Sequence, residues 1–444
     1  MGVIVLKKIF CVVLILLAII GFNYYNFNRN RSLSNKEWIE DINVLNSSIK
    51  SSHPDPFMYI SEKEWDKNLD DIKKNLYKLS DSQILMELSH TVSTLKDMHT
   101  FINPLYVVNP VGEEFSYDNM EVFPIQYEWF GDELRVVSCD SKYKDLLGSE
   151  LLSINDVSLN DVIDKISKMY PFENNQGTKY QSKEYVSLYE LLKFLDIVDS
   201  DVTNFVFETS NGKTKSIDLN TMRITDIEFI SLENNFKNAI NQPPENSNKE
   251  YWSKYIKEDK TLYFQYNACV NKSSSWVPDE KNRNNYPDFY AFVDNLISEL
   301  NSHPIDKFVI DLSNNSGGTI GLTNYMISRI ENETSIKENT KTYIISGGNT
   351  LSAGVWSIVD IANHFDATVV GEETGSNVNT TNVTYNNFEL PNSKIQVNCG
   401  SNFINKIPGY KGGYKPDVEI IQDYKNYQNG IYNAYEYIKN DKVN

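Results

Sequence analysis

From Tyr251 to Thr374 short apolar runs alternate with amphipathic stretches, and this order constrains the fold more than any other feature of the chain. DKTLYFQYN reads as a strand and DFYAFVDNLISELNS as a helix with one apolar face. KFVIDLSNN is a buried strand, GLTNYMISRIEN a helix, KTYIISGG a strand, SAGVWSIVDIANHF a helix and ATVVGEET a strand. Alternation of this kind predicts parallel strands joined by helical crossovers, with functional loops at the carboxyl ends of the strands. The turn SGGT (316–319) and Ser352 both fall at such ends.

The upstream sequence has a different texture. Between Ser34 and about Leu95 the apolar spacing is helical. Trp38, Ile42 and Leu45 share one face, SEKEW opens with the Ser-x-x-Glu pattern of a capping box, and SDSQILMELSHTVSTL follows a polar cap. From Glu114 to Leu219 alternating stretches such as VFPIQYEWFGDELRVVSC predict paired strands, interrupted by the helical DVIDKISKMY, and together these suggest a mixed α+β module. The expected division is a leader over 1–30, a helical domain over 31–110, an α+β module over 111–225 and an α/β domain over 226–444.

Composition narrows the function classes. A formal net charge of −18, spread along the chain, argues against a nucleic-acid footprint, and 28 Tyr with 21 Phe argue against wholesale disorder. Cys11, Cys139, Cys269 and Cys399 stand far apart with no Cys-x-x-Cys pair, so no zinc site is expected and free buried thiols are. The leader LKKIFCVVLILLAIIGFNYYNFNRNR has two lysines, an apolar run and a bulky sequence where a signal peptidase would need small residues. It reads as an uncleaved signal anchor in the cell membrane with the bulk of the chain outside, a cleaved signal peptide being the alternative.

Ser352 in ISGGNTLSAGVW is open to two readings. A serine before a helix is a common N-cap. A serine between a Gly-rich turn and a helix, followed by Ala353 and Gly354, is also where a nucleophile gains the helix dipole and a backbone N–H for an oxyanion. The turn after KFVIDL offers Gly317 or Gly318 as a second amide donor, although glycines there also suit an ordinary turn. A nucleophilic serine needs a base, and five histidines are available. His53 and His303 precede prolines and read as turn residues, and His90 lies within a helical stretch. His364 ends the helix that Ser352 begins, about 18 Å away at the helical rise. His99, in LKDMHTFI, is the remaining candidate.

LKDMHTFI, DLSNNSGG, NTLSAGVW and VVGEETG occur in an order and spacing that resembles the tail-specific (C-terminal processing) serine proteases, closest to their tricorn-like branch. GYKGGYKPDVEI resembles that family's closing segment, and YKDLLGSELLSINDVSL resembles part of a PDZ domain, with Asp156 where glycine is usual. The resemblance spans roughly residues 35–425. It implies an α/β, ββα-superhelix (crotonase/ClpP-like) catalytic core, a PDZ-like α+β module and an N-terminal helical domain. It also implies Ser352 as nucleophile, His99 as base, and Ala353 with Gly317 or Gly318 as the oxyanion hole, without metal or organic cofactor. The lysine that serves as base in the other branch has no counterpart in GEETGSNVNTTNV. Tyr410 stands about where the tricorn-like branch has an orienting acid, for which Glu372 or Glu373 could substitute. The expected function is a membrane-anchored, extracytoplasmic serine endopeptidase acting on protein or peptide substrates. The alternative is a catalytically impaired relative that binds a peptide or a lipophilic ligand.

Overall fold

A computed structural model of the chain describes residues 31–103, 120–232, 249–274, 283–334, 336, 340–382 and 387–442. The expected anchor over 1–30, with Cys11, and the start of the expected α+β module lie outside these residues. Among the described residues no helix is long and apolar enough to cross a membrane. The chain forms two compact units of mixed α and β structure. One takes in the described residues within 1–119, 168–171 and 383–402, and the other those within 120–167, 172–382 and 403–444.

The first unit is built on three helices, α1 (Asn35–Ser52), α2 (Glu62–Asn75) and α3 (Asp81–Ser93). Ser34 and Ser80 start α1 and α3 with complete capping boxes, closed by Glu37 and Gln83. Ser61 accepts from the Glu64 amide at the start of α2, which is half of the reciprocal arrangement its sequence predicts. The periodic apolar residues Trp38, Ile42, Leu45, Trp65, Leu69, Ile84 and Leu88 are buried, as the helical spacing requires. A distant part of the chain joins this unit. Phe101–Ile102 pairs antiparallel with Gln396–Asn398, which also pairs with Phe388–Glu389. Asp41, fully buried on α1, holds the turn of that segment by accepting from the Asn392 and Ser393 amides at 2.9 and 2.8 Å.

The second unit is built on two large sheets. In the antiparallel one, β1 (Ile125–Phe130), β2 (Glu133–Asp140), β3 (Glu150–Ile154), β4 (Val202–Glu208) and β5 (Thr214–Asn220) pair in chain order, accompanied by helices α4 (Leu159–Ser167) and α5 (Asn175–Ser182). The other is the sheet that the alternation predicts. Its strands are β6 (Tyr251–Ile256), β7 (Thr261–Tyr266), β8 (Lys307–Asp311), β9 (Lys341–Ser346), β10 (Thr368–Gly371) and β11 (Val418–Glu419), also in chain order. All pairs from β7 onward are parallel. β6 is not among the expected strands. It forms an antiparallel hairpin with β7 and closes one edge.

Every residue of β7 and β8 is buried, which explains why these strands read as continuous apolar runs. On one face Leu262, Phe264, Phe308, Ile310 and Ile344 join a core with α6 (Phe289–Ser302), α7 (Leu322–Glu333) and α8 (Ala353–Phe365). On the other, Tyr263, Val309, Tyr343 and Ile345 pack with Ala434, Tyr435 and Ile438 of α9 (Asn433–Asn440). The ends of β8, β9 and β10 thus carry three loops at one edge of a rigid sheet.

The Asp41 carboxylate is expected to be the main tie between α1 and the distant segment. Asp41→Ala leaves two amide donors without their acceptor and should cost about 3 kcal/mol, measured as a lowered urea midpoint. A loss below about 0.5 kcal/mol would show that the tie is dispensable.

Candidate active site

β9 ends at Ser346, the chain turns through Gly347 and Gly348, and α8 begins at Ala353. Ser352, between turn and helix, has φ 49° and ψ −124°. That conformation is sparsely populated for a residue with a Cβ and persists only when its surroundings over-determine it. Here they do. The Leu351 amide donates to the Asn315 carbonyl at 2.8 Å, and the Ser352 amide donates to Ser376 Oγ at 2.7 Å. The Ser352 side chain makes no capping bond to α8, so the N-cap reading is corrected. With its backbone out of the usual extended cap geometry, its hydroxyl is not turned onto the amides of the first turn.

The loop after β8 is organised by Asn315, which is fully buried. Its Nδ2 donates to the Tyr266 carbonyl at 2.7 Å, and its Oδ1 accepts from the Gly317 amide at 2.9 Å. Gly317 has φ 94°, and a Cβ there would lie 2.7 Å from Ser352 Cβ, so only glycine allows this approach. The Gly317 amide, one of the two glycine donors left open by the sequence, is thus engaged within the loop. Among the described residues the Gly318 and Ala353 amides donate to no protein group. Asp311, buried at the end of β8, fixes the start of the loop by accepting from the Ser313 amide and hydroxyl at 2.9 and 2.6 Å. Burial holds its carboxyl above the usual range.

The segment after β10 bonds to the backbone of the Ser352 turn. Its Gly375 amide donates to the Thr350 carbonyl at 3.1 Å, and fully buried Ser376 supplies the acceptor for Ser352 N–H. The two candidate acids in this segment are both engaged. Glu372 accepts from the Tyr180 hydroxyl on α5, and burial raises its pKa. Glu373 Oε1 accepts from the Gly413 amide at 3.1 Å. Tyr410 packs with the apolar cluster of Val355, Val359 and Val378, and its hydroxyl accepts from the Lys415 amide at 3.1 Å. α5 is tied to the same segment, since Asn174 Nδ2 reaches the Thr374 carbonyl and Glu173 Oε2 accepts from the Asn377 amide at 2.7 Å.

His99 belongs to the first unit, on the turn between α3 and the strand at Phe101. Its backbone amide donates to Asp97 Oδ1 at 3.0 Å, and the same oxygen lies 3.8 Å from its Nδ1. Burial lowers the His99 pKa, partly opposed by the Asp97 charge. Asp97 Oδ2 accepts from Thr100 Oγ1 at 2.6 Å and from His53 Nε2 at 2.8 Å. His53 is therefore more than the turn residue its His-Pro sequence suggests. It is the C-cap of α1, it is buried, and the fold makes it a partner of Asp97. The remaining histidines have ordinary roles. His303 stacks on Tyr255 with ring centroids 4.2 Å apart, exposed His364 bonds Glu331 at 3.1 Å, and His90 is exposed on α3. Cys139, Cys269 and Cys399 are free and buried, as their spacing predicts.

No family model matches the sequence, and no curated protein matches it by sequence. Similarity appears in three dimensions. Mature CPAF complexed with lactacystin superposes with a TM-score of 0.62 at 11% identity, over 91% of this chain and 97% of that one. Mature CPAF alone gives 0.60 at 11% identity, over 91% and 96%. The chain has the fold of CPAF. Lower-scoring neighbours are the photosystem II D1 C-terminal processing protease (TM-score 0.40, 12% identity, 86% of this chain and 93% of that one) and the tricorn protease (0.39, 12%, 90% and 36%).

Asn315 should be the most sensitive polar residue of the loop. Asn315→Ala orphans a buried amide and a buried carbonyl and is expected to cost about 2–4 kcal/mol in denaturant unfolding. A stability within about 0.5 kcal/mol of the parent would refute its organising role.

Proposed function

We propose that the chain is a serine peptidase in which Ser352 is the nucleophile and His99 the base. The observation that carries this reading is the Ser352 turn, a strained serine at a strand-to-helix junction with Gly317 packed against it, where the Ala353 and Gly318 amides donate to no protein group among the described residues while the Gly317 amide is engaged by Asn315. Strain of this kind at a strand-to-helix turn is how a nucleophilic serine is held out for attack.

In this mechanism His99 takes the proton from Ser352 Oγ as the oxygen bonds to the carbonyl carbon of a peptide. The Ala353 and Gly318 amides hold the resulting oxyanion, helped by the N-terminal end of α8. His99 then gives the proton to the departing amine, and water, deprotonated by the same imidazole, releases the acyl group from Ser352. Asp97, beside His99, favours the imidazolium that forms between these steps. The same reading takes the core as a ββα-superhelix, the antiparallel sheet with α4 and α5 as a PDZ-like module, and the leader as a membrane anchor that places the enzyme outside the cytoplasm. Its substrates are proteins or peptides.

One observation favours a second reading. Tyr410 replaces the expected acid, and Glu372 and Glu373 are bound elsewhere, which suits a peptide- or lipophilic-ligand-binding relative with impaired catalysis. Labelling separates the two. A fluorophosphonate should attach to Ser352 in the parent chain, and Ser352→Ala and His99→Ala should each abolish both labelling and peptide cleavage. Absence of label on Ser352 would favour the binder.

Two further outcomes follow from the geometry. Gly317→Ala places a methyl group against Ser352 Cβ and should slow labelling by at least about tenfold, because a small displacement of the attacking atom is enough. Burial lowers the His99 pKa and so favours the neutral, base-competent imidazole. The cleavage rate should therefore fall only on acidification, with its midpoint below the ordinary imidazole value of about 6.5. A midpoint above that value would contradict the buried base.

A further inference from the structure

We infer that His53 is a positioning residue for His99, acting through the carboxylate of Asp97. This rests on the peptidase reading above, in which His99 is the base. The argument begins with the backbone. Pro54 restricts the residue before it to extended conformations, and His53 has φ −77° and ψ 134°. Its amide still closes α1 by donating to the Ile49 carbonyl at 3.1 Å, so the imidazole is delivered from the fixed end of a helix.

The ring's protonation pattern is set by its neighbours. The Asp55 amide donates to Nδ1 at 3.1 Å, so Nδ1 is an acceptor and the proton sits on Nε2. Nε2 then donates to Asp97 Oδ2 at 2.8 Å, in a setting where the His53 and Asp97 side chains are 5% and 7% exposed. Thr100 Oγ1 donates to the same oxygen, and its own acceptor site is filled by the Gly400 amide at 2.8 Å. Two donors on Oδ2 fix the carboxylate plane. Oδ1 is thereby turned to the His99 backbone amide and toward the His99 ring. A buried carboxylate held from both sides orients the imidazole beside it, whereas one with a missing donor can rotate or take up a proton.

The test compares His53→Phe, which keeps a planar ring but has no donor, with His53→Gln, whose amide nitrogen falls near the place of Nε2. Both are made in the full chain, and folding is matched by thermal melting. The rate of Ser352 acylation by a fluorophosphonate is measured alongside kcat and KM for a fluorogenic peptide. His53→Phe should lower the acylation rate and kcat by about tenfold or more with KM within about twofold, and His53→Gln should restore most of the loss. If His53→Phe does not fold, His53→Asn replaces it. Its shorter amide stops near the place of Nδ1 and should be as slow. A folded Phe or Asn variant that acylates at the parent rate overturns the inference, as does a Gln variant no faster than Phe, since shape alone would then account for the residue. Failure of the parent chain itself to be acylated at Ser352 is a separate outcome. It refutes the peptidase reading and removes the inference with it.

Discussion

The arrangement around Ser352 depends on one buried side chain, the Asn315 amide. Its Nδ2 ties the loop after β8 to the end of β7, and its Oδ1 turns the Gly317 amide inward. Its backbone carbonyl receives the Leu351 amide, one residue before the strained serine. A residue in a sparsely populated conformation must be held by its neighbours, and Asn315 with Ser376 supplies that hold from two different loops. Gly317 makes the approach possible, and its own amide is turned inward onto the Asn315 side chain. Removing the carboxamide would loosen the serine and the loop after β8 together.

The sheet beneath explains why this works. β7 and β8 are buried on both faces, so the loops at their carboxyl ends start from fixed positions. Asp311 and Ser313 extend that rigidity one step beyond β8. Gly375 brings the segment after β10 against the Gly348 carbonyl, and Gly348 itself lies against the Tyr180 ring, so a side chain at either position would prevent these approaches. The α5 helix of the antiparallel module adds ties to the same segment through Asn174, Glu173 and Tyr180. Positioning at the site therefore comes from several loops on one frame and not from any single strong bond.

Much of this was legible in the sequence because its signals are local. The strand–helix alternation located the parallel sheet, and the Gly-rich turns marked the strand ends that carry Ser352 and Gly318. What escaped were interactions between distant residues. His53 and Asp97 are 44 positions apart, so no periodicity links them, and a His-Pro dipeptide looks like any other turn. Ser376 lies 24 positions from the amide that it accepts. The engagement of Gly317 depends on a neighbouring side chain, and the positive φ of Ser352 on contacts from two loops, neither of which a composition rule can express. β6 was missed because its pattern, Tyr-Trp-Ser-Lys-Tyr-Ile, is only partly buried at a sheet edge.

The central claim is that Ser352 attacks a carbonyl whose oxygen is held by the Ala353 and Gly318 amides. The most direct measurement is a crystal structure of the chain after reaction with a peptidyl phosphonate. The account predicts a covalent bond from Ser352 Oγ to phosphorus, with one phosphoryl oxygen within about 3 Å of both amide nitrogens. An unmodified Ser352, or an adduct whose oxygen avoids these two amides, would contradict it.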